Sequence, residues 1–256
     1  MSGDVGRSEW ASPLLRDLPE EDLRELLAAC RVVGVEPGQQ LARADEDRVV
    51  LIAEGAAKAH ATTLAGDEVI TAILGPGDPW GFGVALGYRR GGTDLAALQP
   101  IAALVLSGRD LRRLVRTRPP VAAACLRTVG RQLALSEAET LTFAGTSTVE
   151  RVTLRVLQLA TRWGEASGEG VVVTLPLSQV ELAAWAASSR ESTAKVLQTL
   201  RRTGIVRTGR RSLVVLDVER LRERCSHYLA CPIEDLAGGV ATPGAPTGLL
   251  AVQLAR

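Results

Sequence analysis

The stretch that most restricts how this chain can fold runs from Pro176 to Leu216. Ser178 carries a hydroxyl that can accept an orphan backbone N–H, and Glu181 three residues on completes the spacing of a capping box, so a short helix is predicted to start here. Leu182, Trp185 and Ala186 follow at i, i+3 and i+4, and the small Ala183 lets a second helix approach closely. Ala187-Ser188-Ser189 reads as a tight turn, with Ser188 or Ser189 capping a second helix from Arg190 to about Thr203. The inner face of that helix is Thr193, Val196, Leu197 and Leu200; its outer face is Arg190, Glu191, Lys195, Arg201 and Arg202. Gly204 stops it. Beyond it, Ile205–Thr208 and Ser212–Leu216 are β-rich runs around Gly209-Arg210-Arg211, a hairpin with a basic tip. The pattern is a helix-turn-helix followed by a wing.

From Arg190 to Arg211 there are seven basic residues and one acid, Glu191, in a chain whose net charge is +1. A solvated helix face normally mixes signs, so a one-signed stretch at the start of a helix and again on a hairpin tip suits a polyphosphate better than an ordinary charged surface. DNA is the expected partner, and Ser178, Gln179, Ser189, Arg190, Glu191, Lys195, Arg210 and Arg211 are the expected contacts.

Ser189-Arg190-Glu191-Ser192-Thr193 followed by Lys195 resembles the Ser-Arg-Glu-Thr-Val and later basic residue of the Crp/Fnr transcription regulators. The resemblance implies base contact by Arg190, Glu191 and Lys195. The chemistry fits, because an arginine forks onto guanine O6 and N7 and a glutamate accepts from cytosine N4. Two positions depart from the family pattern: Ala187 stands where glycine is usual, and Thr193 where an apolar residue is common.

With 256 residues, 46% of them apolar and 23% charged, the chain is long enough for two cores. Its four cysteines, Cys30, Cys125, Cys225 and Cys231, lack disulfide-framework or paired C-x-x-C spacing. No basic-then-apolar leader opens the sequence, and no apolar run approaches the roughly 20 residues that cross a bilayer. A cytoplasmic protein without membrane contact is expected.

Residues 1–11 are polar and small and read as frayed. Pro19-Glu20-Glu21-Asp22 opens a helix carrying Leu23, Leu26 and Leu27, with acids in its first turn as the helix dipole prefers. From about Arg31 to Ser107, short β-rich runs alternate with glycine turns: Arg31–Val35, Arg48–Ile52, Val69–Leu74 and Ala102–Leu106. This predicts a sandwich or roll and excludes a βαβ sheet. Val50-Leu51-Ile52-Ala53-Glu54-Gly55 and Leu74-Gly75-Pro76-Gly77-Asp78-Pro79-Trp80-Gly81 resemble, more loosely, the cyclic-nucleotide-binding β-roll of the same family. Together the two resemblances cover roughly residues 20–224.

The family's nucleotide binders have Gly-Glu-Leu, whose acid holds the ribose, and then an arginine before Ser or Thr that pairs with the cyclic phosphate. Here the first element is Gly81-Phe82-Gly83 and the second Arg89-Arg90-Gly91-Gly92-Thr93. Phe82 cannot accept a hydrogen bond, and the arginine is out of step by one residue. Phe82, Gly83, Arg90 and Thr93 remain the candidate effector pocket, with Arg90 either a phosphate ligand or a solvated loop arginine. Cyclic AMP is not the expected ligand. No cofactor is expected, and a small-molecule effector of unread identity stays open.

Pro119-Pro120 starts a long helix reading to about Gly145. Ala122, Leu126, Val129, Leu133, Ser136, Thr140 and Phe143 alternate spacings of four and three, a heptad seam that predicts a homodimer centred on Leu126, Val129 and Leu133, the alternative being a single amphipathic helix packed on its own domain. Val149–Trp163 is a further amphipathic helix, Gly164–Gly170 a polar turn, Val171–Leu175 a strand and Asp217–Arg224 a short helix. The expected fold class is α+β, with an N-terminal β-roll of double-stranded β-helix or jelly-roll type, a long dimerisation helix and a C-terminal winged helix-turn-helix. The expected domains are residues 12–118, 119–145 and 149–224, with 225–256 a flexible tail.

Cys225, His227 and Cys231 lack standard zinc spacing and an evident fourth ligand, so no metal is expected. His60 reads as a surface histidine. There is no serine elbow, P-loop or dinucleotide fingerprint, which argues against an enzyme. The expected function is a homodimeric, sequence-specific DNA-binding transcription regulator acting on a palindromic operator, with RNA polymerase a candidate partner. The alternative is a regulatory interaction module whose helix-turn-helix holds protein.

Overall fold

The computed structural model describes residues 12–88 and 92–226. The expectations for residues 1–11, Arg90, His227, Cys231 and the tail beyond Ser226 lie outside the described residues. The chain divides into two compact units, one built on residues 12–59 and 73–133, the other on 60–72 and 134–226.

The chain begins with α1 (Pro13–Arg16) and α2 (Glu20–Ala29), then the strands β1 (Cys30–Val35), β2 (Gln40–Ala42) and β3 (Arg48–Glu54). β4 (Ala57–Thr62), β5 (Glu68–Leu74), β6 (Pro79–Trp80), the single turn α3 (Phe82–Ala85), β7 (Asp94–Ala97), β8 (Ile101–Ser107) and α4 (Gly108–Thr117) follow. One sheet has the order β1-β8-β3-β6 and the other β2-β7-β4-β5, the non-sequential order of a roll. The expected α+β class and its β-roll are present. Sequence reading missed β2, β4, β6 and β7, which are two to six residues long and, apart from Pro79-Trp80, carry mainly alanine and polar residues, and which are strands because neighbours pair with them. It also missed α4, whose arginines mask the apolar pair Leu111 and Leu114.

β3 is buried on both faces. Val49, Leu51 and Ala53 join Leu104 and Leu106 of β8 in a core with Leu26, Leu111 and Leu114 from the helices. Val50 and Ile52 point to the opposite face, where Val50 pairs with Val105. Each of these fully buried Val, Leu and Ile side chains contributes about 1.5–3 kcal/mol, so strand register here is strongly specified. Arg112 of α4 fixes the surrounding loops: both its Nη atoms donate to Asp47 at 2.8 Å, and Nη1 also donates to the Ala85 carbonyl at 2.6 Å. At Gly81, φ is 91° and a Cβ would come 2.3 Å from the Arg48 carbonyl oxygen, so only glycine allows α3 to start there.

Arg118 is extended, as a residue before proline must be, and α5 (Pro119–Ala144) starts after it. Val121, Ala124 and Cys125 bury one side of α5. Leu126 and Leu133 of the expected seam are 74% and 59% exposed, and Val129 is half-buried against the unit's own core. Gly130 lies on the open side beside them.

In the second unit α6 (Thr148–Trp163) opens with a capping box between Ser147 and Glu150. β9 (Gly164–Ser167), β10 (Gly170–Val173), α7 (Gln179–Trp185), α8 (Arg190–Arg202), β11 (Val206–Gly209), β12 (Ser212–Val215) and α9 (Val218–Cys225) complete it. The sheet order is β11-β12-β10-β9. The segment expected as a polar turn is largely β9, because Glu165 and Ala166 pair with Val172 and Val171. α9 reaches Cys225, which is 1% exposed and belongs to the domain rather than to the tail. His60 is not a free surface group, since its Nδ1 lies 3.2 Å from Glu68 Oε1.

Between α7 and α8, Ala187 adopts φ 46°, the left-handed region. An L-side chain there costs roughly 1–2 kcal/mol, which accounts for glycine being usual at this step. Ala187→Gly is expected to raise unfolding free energy by about 0.5–1 kcal/mol, the relief of strain being partly offset by a freer unfolded chain. Urea denaturation of the two proteins measures it, and an unchanged or lower midpoint contradicts the assignment of strain.

Candidate nucleic-acid interface

The interface is assembled from two helix caps and one hairpin. Ser178 Oγ accepts from the Glu181 amide at 3.2 Å while Glu181 Oε2 accepts from the Ser178 amide at 2.9 Å, the reciprocal capping box expected from the spacing. Gln179 is therefore the first residue of α7. Of the two candidate caps for α8, Ser189 is the one used: its Oγ accepts from the Ser192 amide at 3.1 Å. Ser188 has another task. Its hydroxyl accepts from Thr193 Oγ1 at 3.3 Å, which explains how a threonine with 0% exposure fits where an apolar residue is common.

Thr193, Val196, Leu197 and Leu200 are buried, so rotation of α8 about its axis is set. Arg190, Glu191 and Lys195 consequently face outward and are exposed. Gln198 and Thr199, which sequence reading omitted, share that face; their spacing of three and four from Lys195 was the available signal. Gly204, at φ 70°, ends the helix region as expected.

The hairpin β11–β12 closes with Gly209 opposite Ser212, leaving Arg210 and Arg211 as its two-residue tip. Both are exposed, and Arg211 has φ 51°. Two side chains of a long, charged type thus occupy a turn that Gly or Asn fills with less strain. Among the described residues, Arg190, Lys195, Arg201, Arg202, Arg210 and Arg211 have no ion pair with an acid. Arg207 differs. It is paired with Glu169 on the β9–β10 turn, whose carboxyl is held below its usual range by the hydrogen bond from Arg207. The basic stretch therefore presents its charge at two places, α8 and the hairpin tip, and neutralises it between them.

Of the candidate effector residues, Phe82, Gly83 and Thr93 are described. Phe82 is 4% exposed and packs into the helix-side core with Leu51, Leu104 and Leu111. Thr93 Oγ1 accepts from the buried Trp80 indole N–H at 3.1 Å. Gly83 has open space where a Cβ would stand. On the opposite face of the roll Val50, Ile52, Ala57, Leu95 and Ala103 are all at 0% exposure. Burial pushes the thiols of Cys30 and Cys225 up to about 12 and that of Cys125 up to about 11, so none of them is a thiolate nucleophile at neutral pH. The described residues include no cluster of His, Cys, Asp and Glu able to hold a metal and no helix long and apolar enough to cross a membrane.

The described geometry agrees with what the chain is similar to. Residues 150–224 match the model of the Crp-like helix-turn-helix domain. The CRP-like cAMP-activated global transcriptional regulator of Mycobacterium tuberculosis is 28% identical over 178 residues, 70% of this chain and 80% of that protein. The cyclic AMP receptor protein of Thermus thermophilus is 28% identical over 173 residues, 68% of this chain and 77% of that one. Among solved structures, a CRP-family transcriptional regulator, also from Thermus thermophilus, shares the fold with a TM-score of 0.67 at 22% identity, covering 78% of this chain and all of its own. Residues 150–224 thus form a winged helix-turn-helix of the Crp-like type, and along about 70% of its length the chain is similar to a CRP-like transcriptional regulator.

Proposed function

We propose that this regulator acts as a homodimer on a two-fold-related operator, reads bases with Arg190, Glu191 and Lys195, and answers to something other than cyclic AMP. The observation that carries the reading is the unpaired basic face of α8 beside the unpaired tip of the hairpin. Arg190 and Glu191 stand in the first turn of α8, the end of a recognition helix that reaches base edges in the major groove. Ser178, Gln179 and Ser189 begin their helices and are suited to phosphate contact, as are Arg210 and Arg211 at the tip.

Dimerisation is supported by α5. A helix that buries Val121, Ala124 and Cys125 within its own chain and leaves Leu126 and Leu133 exposed has an apolar side in search of cover, and Gly130 between them lets a second helix come close. A dimer places two α8 helices on one side of the duplex about one helical turn apart, and RNA polymerase is the further partner such a complex would meet.

Both similar regulators carry cyclic AMP in their names, which makes it the first ligand to test. Phe82 and Thr93 argue against it. The first offers no acceptor and lies in the core, and the second is engaged by Trp80. Ribose hydroxyls left unpaired in a closed site cost roughly 1–3 kcal/mol beyond the lost charge-assisted bond.

Arg190→Ala is expected to cost about 1–3 kcal/mol on a selected operator and to relax base choice at one position. Arg210→Ala weakens all duplexes alike and lowers the salt slope by about 1, whereas Arg207→Ala, already neutralised by Glu169, changes the slope less. Binding titrations at several salt concentrations measure all three, and identical behaviour of Arg190→Ala and Arg210→Ala contradicts the division of roles. Leu126→Asp with Leu133→Asp is expected to give a monomer with weak operator binding; a dimer by sedimentation moves the seam elsewhere. Calorimetry with cyclic AMP is expected to give weak heat or none, and micromolar binding abolished by Arg90→Ala would restore that arginine as a phosphate ligand.

A further inference from the structure

Arg155 lies in the middle of α6 and is 2% exposed. Its Nη1 donates to Glu139 Oε1 and Gln158 Oε1, both at 2.7 Å, and its Nε donates to the Trp185 carbonyl at 3.2 Å. The rings of Phe143 and Trp185 lie 4.8 and 4.4 Å from its Cζ. One turn earlier, Arg151 donates to the carbonyls of Ala186 at 3.0 Å, Ala187 at 3.2 Å and Thr146 at 2.9 Å.

Two arginines of one helix therefore satisfy the carbonyls of three successive residues, Trp185, Ala186 and Ala187. These are groups that a helix end leaves without intrahelical partners. They sit at the turn where Ala187 is held in the left-handed region without the help of a glycine. The same Arg155 guanidinium grips Glu139 and Phe143, in the last two turns of α5. Stability alone is a poor reason for the arrangement. Burial disfavours the guanidinium charge, and a buried pair generally gains little over well-packed apolar side chains of the same volume. What an apolar residue cannot do is hold the last carbonyl of α7 and a carboxylate of α5 at once.

We infer that Arg155 is a positioning residue for DNA recognition, a strut that ties the end of the long helix to the last residue of α7, where the turn in front of α8 begins, so that the setting of the recognition helix follows the last turns of α5. The inference rests on the DNA-binding reading of α8 and adds to it the means by which α5 sets operator affinity.

The test uses the full-length protein, an operator selected by it from a random duplex library, and a scrambled duplex alongside. Arg155→Met is expected to lower operator affinity about tenfold while changing binding to scrambled duplex by no more than about twofold. In the same protein, amide exchange across residues 186–190 accelerates with that in the interior of α6 unchanged. Adding Ala187→Gly, which removes the turn's need for support, recovers most of the lost operator affinity. Glu139→Ala, which leaves the carbonyl bonds and the Phe143 ring contact but removes the ion pair to α5, lowers operator affinity about threefold. Parent-level operator affinity in folded Arg155→Met, an equal loss on both duplexes, or no recovery with Ala187→Gly would overturn the strut. Should Arg155→Met fail to fold, Glu139→Ala decides, and parent-level affinity there overturns it. A parent protein that selects no operator refutes the DNA reading instead, and the exchange measurement alone then judges the strut.

Discussion

Burial of one side of α8 is the constraint on which the molecule's chemistry depends. Thr193, Val196, Leu197 and Leu200 recur at spacings of three, one and three, so burying all four leaves a single rotation of the helix. Removing three such apolar side chains from water contributes several kcal/mol, at about 1.5–3 kcal/mol each. That far exceeds what the exposed arginines could gain by turning inward. The outward direction of Arg190, Glu191 and Lys195 is thus a consequence of packing, and no interaction among those residues is needed to produce it. Thr193 shows how strict the requirement is: a hydroxyl at 0% exposure is accepted only because Ser188 supplies its partner.

The same logic runs the other way in the β-roll. β3 and β8 are buried on both faces, one against helices and one against the second sheet's side, and that leaves few positions where a polar side chain can reach a ligand. Phe82 is drawn to the helix side, where it is worth more as core than as a pocket wall. Trp80 then needs a partner for its buried N–H, and Thr93 provides it. Two residues that a sequence pattern puts in a binding cassette are in this way engaged in packing and internal hydrogen bonding.

Charge is treated differently at different depths. At the surface, Arg207 is neutralised by Glu169, while Arg190, Lys195, Arg210 and Arg211 carry no such partner among the described residues. In the interior, Arg155 is surrounded by acceptors and aromatic faces. A cation left without a carboxylate on an exposed face is available to phosphate; a cation enclosed with one is a structural tie.

The winged helix-turn-helix was legible from residue order because its signals are local. The Ser178–Glu181 capping box, the Ser189 cap, the 3.6-residue period of α8 and the Gly204 stop all act within a few residues, and each appears where the spacing put it. α5 and α6 were legible for the same reason. The roll was legible only as a class. β2, β4, β6 and β7 become strands through pairing with segments distant in the chain, and β9 looked like a turn because Glu165 and Ala166 mean nothing as a strand without Val171 and Val172 beside them. The fate of Phe82, the pairing of Arg207 with Glu169 and the burial of Arg155 are likewise decided by neighbours between 16 and 38 residues away or in other elements of the fold. Sequence alone determined what short-range periodicity and capping can specify, namely the helices and the basic face one of them presents. Tertiary structure decided which charges stay free and which side chains become core, because those outcomes depend on groups that only folding brings together.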